Sequence, residues 1–398
     1  MISITPKKII ITTMVIACAG GVFVGGAFFG RKMTYQVPQS GTIDFSLFWD
    51  SYNKLQQNFF DPSKIDSQKI IYGAIEGMAK SLDDPYTSFF NPEEAQKFMQ
   101  DLSGSFEGIG AEIGIKKEQL TIVAPLEGSP AQASGIKAGD VIIKIDNTEA
   151  SDLTTDEAVG LIRGAKGTVV TLTIFRTGWS AAKDFKITRD TIIVHPAKWS
   201  LKNGNVAYIQ ITQFDENLVA DFQKTVAEIL QSPAEKIVLD LRNNPGGYLE
   251  VAQNIAGWFL EKGQIVTIED FGGKKEQQLY KSDGTAELLG YPIVVLINEG
   301  SASASEILAG SIRDNKGAKL IGTKSFGKGS VQEILDLRGG SFLKITIAKW
   351  LTPKGASISE VGLSPDVKVD ITDEDVEQDK DPQLDKALEI VKSIPTGK

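Results

Sequence analysis

Residues 236–260 read KIVLDLRNNPGGYLEVAQNIAGWFL. An apolar run, Lys236 to Leu241, has the length and β-branched content of a buried strand. Arg242-Asn243-Asn244-Pro245-Gly246-Gly247 is a turn, and Leu249 to Leu260 has helical character. The same grammar returns at 293–314, IVVLINEGSASASEILAGSIRD. There Ile293 to Ile297 is the strand, Asn298 to Ser301 the turn and Ala302 to Asp314 the helix. Alternation of strand, tight turn and helix implies an α/β domain, and loops leaving the carboxyl ends of its strands are where sites form.

Working outward, the texture changes on both sides. Val170, Leu172 and Ile174 alternate with Thr171 and Thr173, the period of a half-buried strand. Val141 to Ile145 is another apolar run, and Thr155 to Ile162 reads as a short helix between them. Residues 103–190 therefore form a compact β-rich domain, and 191–370 the α/β core. Before it, Phe45, Phe48, Trp49, Tyr52 and Leu55 share one helical face, and Ile71, Ile75, Met78 and Leu82 make a second stripe. Asn91-Pro92-Glu93-Glu94 is a helix start, so 44–102 is expected to be a small helical unit. Residues 371–398 are an acidic tail that turns helical through Leu384, Ala387, Leu388, Ile390 and Val391. Residues 33–43, with Pro38 and Gly41, read as a linker.

Ile9 to Gly30 is 22 residues without a charge, enough to cross a hydrocarbon core. Lys7 and Lys8 precede it and Arg31 and Lys32 follow. Residues 1–32 thus read as a short cytoplasmic tail with a single-pass anchor or uncleaved signal, which would leave the rest outside the inner leaflet. Val15-Ile16-Ala17-Cys18 also has the form of a lipoprotein cleavage box, although apolar sequence continues beyond Cys18.

Composition removes several chemistries. The chain has 398 residues and a net charge of −9, an acidic balance that speaks against nucleic acid as a partner. One Cys, Cys18, allows no disulfide framework and no cysteine zinc site. One His, His195, excludes a multi-histidine metal site, and any Ser-His scheme would run through that residue.

In Asn298-Glu299-Gly300-Ser301-Ala302-Ser303-Ala304-Ser305-Glu306 a hydroxyl stands where a buried strand meets a helix N-terminus. Free N–H groups there can stabilise an oxyanion, the geometry an acyl-transfer serine needs. Ser303-Ala-Ser-Glu306 is equally a capping box. His195, before Pro196 at a domain junction, is a poor base. A lysine can serve if burial strips its proton, because only the neutral amine accepts one. Phe326-Gly327-Lys328-Gly329 puts a lysine between two glycines beside the strand Val331–Leu335; a lysine on a surface turn fits the same residues equally well.

Four ordered segments resemble the carboxyl-terminal processing peptidases, serine proteases with a Ser-Lys dyad. They are Asp83-Asp84-Pro85-Tyr86-Thr87, Leu239 through Gly247, Glu299 through Glu306, and Lys324 through Gln332. The resemblance implies a crotonase-like (ClpP/crotonase-type) core with a PDZ domain and a helical N-terminal region. It implies Ser303 as nucleophile, Lys328 as base and Gln332 as the amide that orients the lysine. The oxyanion hole falls on Ala304 with Gly246 or Gly247, an alternative that stays open. Glu306 and Asp314 match supporting residues. Gly108-Ile109-Gly110-Ala111 stands where a PDZ carboxylate-binding loop belongs, and Arg163 matches an arginine that couples the PDZ domain to the active site.

The expected function is an endopeptidase acting near the C-terminus of exported proteins, without metal or organic cofactor. Its partners would be protein or peptide substrates with accessible C-termini, and the membrane through the N-terminal helix. A homo-oligomer or an adaptor protein is compatible with the sequence. Two other classes fit parts of it: a catalytically inactive PDZ peptide-binding scaffold and a crotonase-type acyl-CoA enzyme.

Overall fold

The computed structural model describes residues 44–116, 119–126 and 128–396. The expected anchor at 9–30, the linker and Cys18 lie outside the described residues. Among the described residues no helix is long and apolar enough to cross a membrane. In chain order the elements are α1 (Ser46–Asn58), α2 (Ser67–Lys80), β1 (Ser88–Phe90), α3 (Pro92–Leu102), β2 (Ser105–Gly108), β3 (Ala111–Lys116), β4 (Gln119–Pro125), α4 (Pro130–Ala133), β5 (Val141–Ile145), β6 (Thr148–Glu149), α5 (Thr155–Ile162), β7 (Val169–Phe175), β8 (Lys183–Thr188) and β9 (Asp190–Ile193). They continue as β10 (Ala197–Lys202), β11 (Val206–Ile211), α6 (Leu218–Gln231), β12 (Lys236–Asp240), α7 (Leu249–Phe259), β13 (Ile265–Asp270), β14 (Gln278–Lys281), β15 (Ile293–Ile297), α8 (Ala304–Lys316), β16 (Lys319–Gly322), β17 (Ser330–Asp336), β18 (Phe342–Leu351), β19 (Val367–Lys368), α9 (Asp373–Glu377) and α10 (Pro382–Ser393).

The described residues up to 70 form one unit and the described residues from 71 a second. In the first, α1 has the expected aromatic face, with Phe48 and Trp49 edge to face at 5.2 Å, yet buries no residue. Trp49 is 58 % exposed. In α2 the expected stripe is rotated. Ile71, Met78 and Leu82 are exposed, while Tyr72, Ile75 and Ala79 turn inward, Tyr72 meeting Phe89 at 5.6 Å. Three- and four-residue steps link both sets, and the partner surface chose the one that packs. The capping box at α3 forms as expected: Asn91 Oδ1 accepts from the N–H of Glu94 at 3.1 Å, and Glu94 Oε2 from that of Asn91 at 3.0 Å. The segment 44–102 is not wholly helical, because β1 pairs with β18.

The β-rich unit is a sheet in the order β3-β4-β5-β7-β8, closed over Ile122, Leu172, Ile174 and Ile187, all fully buried. Among the described residues its outer strand β3 has an unpaired edge beside α5. The chain enters by β2 and leaves by β9, and these two pair with each other. One side chain pins this crossing to the core: Asn217 Nδ2 donates to Gly104 O at 3.0 Å.

The core sheet runs β10-β11-β12-β15-β16-β19, parallel except for β10. Helices α6, α7 and α8 cover one face around Phe222, Phe259 and Leu308, and α10 covers the other through Ala387 and Val391. Burial on both faces explains why β12 and β15 read as unbroken apolar runs. Truncating a fully buried Phe such as Phe222 to Ala in such a core costs about 3–5 kcal/mol. A second sheet, β1-β18-β13-β14 with β17 on β18, stands over the carboxyl-end loops and carries the lysine segment.

Candidate active site

Two turns at the carboxyl ends of neighbouring parallel strands, 241–247 after β12 and 298–303 after β15, are stitched together by short polar side chains. Ser301 Oγ donates to Leu241 O at 2.8 Å, and Ser305 Oγ to Asn244 O at 2.9 Å. The N–H of Ala302 donates to Asn244 O at 3.0 Å, and that of Asn243 to Asn298 Oδ1 at 2.8 Å. Ser301 and Ser305 are fully buried, so the outer hydroxyls of the Ser-Ala-Ser-Ala-Ser run are structural. The middle one, Ser303, lines a cavity of about 740 Å³.

Ser303 has φ +54° and ψ −115°, a backbone conformation that costs a non-glycine residue about 1–3 kcal/mol. An ordinary capping serine is extended, so Ser303 combines the expected capping box with a conformation that caps do not use. The strain is held from both sides. Gly246 lies so close that a Cβ on it would sit 2.8 Å from Ser303 Cβ and 2.7 Å from Ala302 O, at φ +99°. On the helix side, Glu306 Oε2 accepts the Ser303 N–H at 2.9 Å.

Glu306 is wholly buried and reaches the lysine loop as well. Its carboxylate accepts from Ser325 Oγ at 2.6 Å, from the N–H of Gly327 at 2.8 Å and from that of Lys328 at 3.0 Å. Burial raises its pKa, and these donors oppose the rise. Sequence reasoning placed Glu306 as support only; its spacing from Ser303 was the signal, but that it also binds the lysine loop had none.

Lys328 lines the same cavity. Its neighbour Gly329 has to be glycine because the backbone of Ile358 and Ser359 occupies the place of a Cβ. Burial pushes the Lys328 amine below its ordinary range, against the pull of Glu306. The ring of Tyr86 stands 5.9 Å from its Nζ. Lys328 Nζ makes no hydrogen bond to Ser303 Oγ or to Gln332 among the described residues. Gln332 also lines the cavity, but its amide nitrogen donates to Ser330, to O at 2.9 Å and to Oγ at 2.6 Å.

Gly246, Gly247 and Ala304 complete the cavity wall near Ser303. The N–H of Gly246 is taken by Asn244 Oδ1 at 2.9 Å. Those of Gly247 and Ala304 meet no protein acceptor among the described residues, which separates the two glycines. Asp314 lies away from the cavity, where Oδ2 accepts the N–H of Lys354 at 3.0 Å. His195 is at the surface, 69 % exposed in its side chain and 3.0 Å from Asp221. It does not line the cavity, so a Ser-His scheme finds no support in the geometry.

Gly108, Ile109, Gly110, Ala111 and Arg163 belong to the β-rich unit, and none lines the cavity. The loop between β2 and β3 is anchored by its carbonyls: Ile109 O accepts from Ala131 N–H at 2.8 Å and Gly110 O from Leu126 N–H at 2.9 Å. The Ile109 side chain is buried in the unit's core rather than offered to a ligand. Arg163 ends α5, with its guanidinium 4.6 Å from the centre of the Phe106 ring.

A serine on a strained elbow, free N–H groups beside it and a half-buried lysine in the same cavity are the parts of a serine hydrolase. Residues 205–369 match peptidase family S41, residues 96–175 the PDZ domain, and residues 15–94 the activating protease CtpB N-terminal domain. The chain is 38 % identical over 368 residues to the carboxy-terminal processing protease CtpA of Bacillus subtilis, covering 92 % of this chain and 77 % of that one. It is 38 % identical over 364 residues to the carboxy-terminal-processing protease of Bartonella bacilliformis, covering 89 % and 82 %. The solved photosystem II D1 C-terminal processing protease superposes with a TM-score of 0.51 at 28 % identity, covering 85 % of this chain and 96 % of that one. The chain belongs to peptidase family S41. It is a carboxy-terminal processing serine protease with a PDZ domain and mixed α/β sheets.

Proposed function

We propose that this protease cleaves exported proteins near their C-termini with a Ser303–Lys328 dyad. Ser303 Oγ attacks the scissile carbonyl while neutral Lys328 takes its proton. The N–H groups of Ala304 and Gly247 hold the oxyanion; the engagement of Gly246 by Asn244 is what favours Gly247 of the two glycines. Lys328 then protonates the leaving amine, and water resolves the acyl-enzyme in a second pass through the same groups. Gln332 orients Lys328 through its carbonyl oxygen, its amide nitrogen being held by Ser330. With Nζ not bonded to Oγ, the present arrangement is read as a resting one that closes when substrate engages. The core that carries the dyad is read as crotonase-like.

The free edge of β3 and the 108–111 loop are the elements that would add a substrate tail as an extra strand and hold its carboxylate on backbone N–H groups. Arg163, packed on Phe106 of the entry strand β2, would report that capture to the core. The uncharged stretch 9–30 supports an extracytoplasmic catalytic part on a membrane anchor.

The observation that carries the reading is the shared cavity: the strained serine and the half-buried lysine face one space and are tied through one buried carboxylate. The test is cleavage of an unfolded reporter by the full chain and by Ser303→Ala. Cleavage by the wild type alone supports it; equal cleavage by both overturns it. Activity that requires coenzyme A would favour an acyl-CoA enzyme, and no cleavage by either would favour a binding scaffold.

A further inference from the structure

Glu269 is a carboxylate in the wall of the catalytic cavity, and no cation pairs with it among the described residues. It lies in β13 and is only 4 % exposed. Its backbone stands opposite Trp350 of β18, whose N–H donates at 2.6 Å to the carbonyl of Gly329, the neighbour of Lys328. Adjacent strands sit about 4.8 Å apart, so two such steps place the Glu269 backbone about 10 Å from the lysine loop. One oxygen, Oε2, accepts the Tyr280 hydroxyl at 2.8 Å; the other accepts no hydrogen bond among the described residues. Burial and this carboxylate push the Tyr280 hydroxyl up to about 12, so it stays a donor. The Tyr280 ring meets that of Trp350 edge to face at 5.6 Å, and both residues line the cavity, as do Ile307 and Ile347.

We propose that Glu269 is a specificity-determining residue: it receives the cationic end of a substrate lysine or arginine close to the scissile bond, whose methylenes lie along Tyr280 and Trp350. The inference rests on the reading of this cavity as the place of cleavage. Joining β13 to β14 through Tyr280 needs only an acceptor, which an amide would supply as well. The charge and the second oxygen are left over, and a buried carboxylate without a counter-ion is costly until a cation meets it. Apolar and aromatic walls ending in a carboxylate are the complement of a long basic side chain, which buries its stem and presents its charge. The cavity's own cations are otherwise engaged: Lys275 Nζ lies 5.0 Å from the centre of the Phe271 ring, Lys344 Nζ 5.2 Å from that of Phe90, and Lys328 Nζ 5.9 Å from that of Tyr86. Glu250, which also lines the cavity, adds negative charge to it.

The test begins with the full chain cutting an unfolded reporter protein, with every cut site mapped by mass spectrometry. Wild type should enrich lysine and arginine at one position near the bond. Two internally quenched peptides built on a mapped site, with lysine or uncharged norleucine at that position, are then compared for wild type, Glu269→Gln and Glu269→Lys. Wild type should cut the lysine peptide about tenfold or more faster in kcat/KM. The ratio should fall to near one in Glu269→Gln, and Glu269→Lys should select acidic residues at the same position. A merely structural role would lower both peptides together and leave the ratio unchanged, which overturns the inference. A wild type with no position enriched in basic residues overturns it too, and that result needs no folded variant. Both outcomes leave the dyad standing. Reporter cleavage that survives Ser303→Ala overturns the dyad reading and this inference with it.

Discussion

Ser303 and Lys328 hang from the same oxygen: Glu306 Oε2 accepts the backbone N–H of one at 2.9 Å and of the other at 3.0 Å. The second oxygen holds Ser325 and Gly327. The relative placement of nucleophile and proposed base is thus set by a buried carboxylate that touches neither reacting atom.

Glu306→Gln replaces one acceptor oxygen by a donor that faces donors. An unsatisfied buried hydrogen-bonding group costs about 1–3 kcal/mol, more when charge is involved. The variant should lose at least that much in denaturant unfolding and at least 100-fold in kcat, with KM changed far less. A variant with wild-type kcat would show that the clamp does not position the dyad.

Gly246→Ala should abolish cleavage, because its methyl would meet Ser303 Cβ and Ala302 O at a backbone angle disfavoured for alanine. Circular dichroism should show a fold close to wild type, since the clash is confined to the two turns that line the catalytic cavity. Retained activity would mean that the two turns do not fix the serine.

The Lys328 amine is depressed by burial, so the folded state binds fewer protons than the unfolded chain between the lowered pKa and the ordinary lysine value. Stability therefore rises with pH through that window, and the penalty is complete below it. Lys328→Met, which removes the buried amine, should unfold at higher denaturant than wild type at neutral pH, and the gap should narrow as pH is raised. A gap independent of pH would contradict burial of this side chain. Lys328→Arg should be inactive, because guanidinium keeps its proton at working pH.

A substrate that has lost its last few residues should be cut about tenfold more slowly, the loss falling mainly in KM, if its tail adds to β3. Competition by a peptide of the same tail sequence should slow cleavage of the intact substrate. Equal turnover of both substrates would remove the PDZ domain from recognition.

The parts legible in the sequence were those whose signal is local. β15 spans Ile293–Ile297 and α5 Thr155–Ile162 as the patterns indicate, because apolar runs and capping residues mark their own ends. β1 was not legible: Ser88–Phe90 is too short to show a period, and its partner β18 lies some 250 residues on. Helix α6 and strand β10 were also left unassigned, although α6 buries Leu218, Phe222, Val226 and Ile229 at helical spacing. At the site, Ser303 and Lys328 were named through the resemblance, since their residue types alone fit a helix cap and a surface turn as well. The separate work of Ser301 and Ser305, the reach of Glu306 to a second loop and the holding of Gln332 by Ser330 could not be named, since each depends on which distant backbone atom the fold brings near.

The most direct measurement is the rate at which a fluorophosphonate labels Ser303, followed against pH in the full chain and in Lys328→Met with a substrate-tail peptide present. The account predicts a wild-type rate that climbs with pH as Lys328 loses its proton, and a slow rate without that limb in the variant. The same climbing curve in both proteins would contradict it.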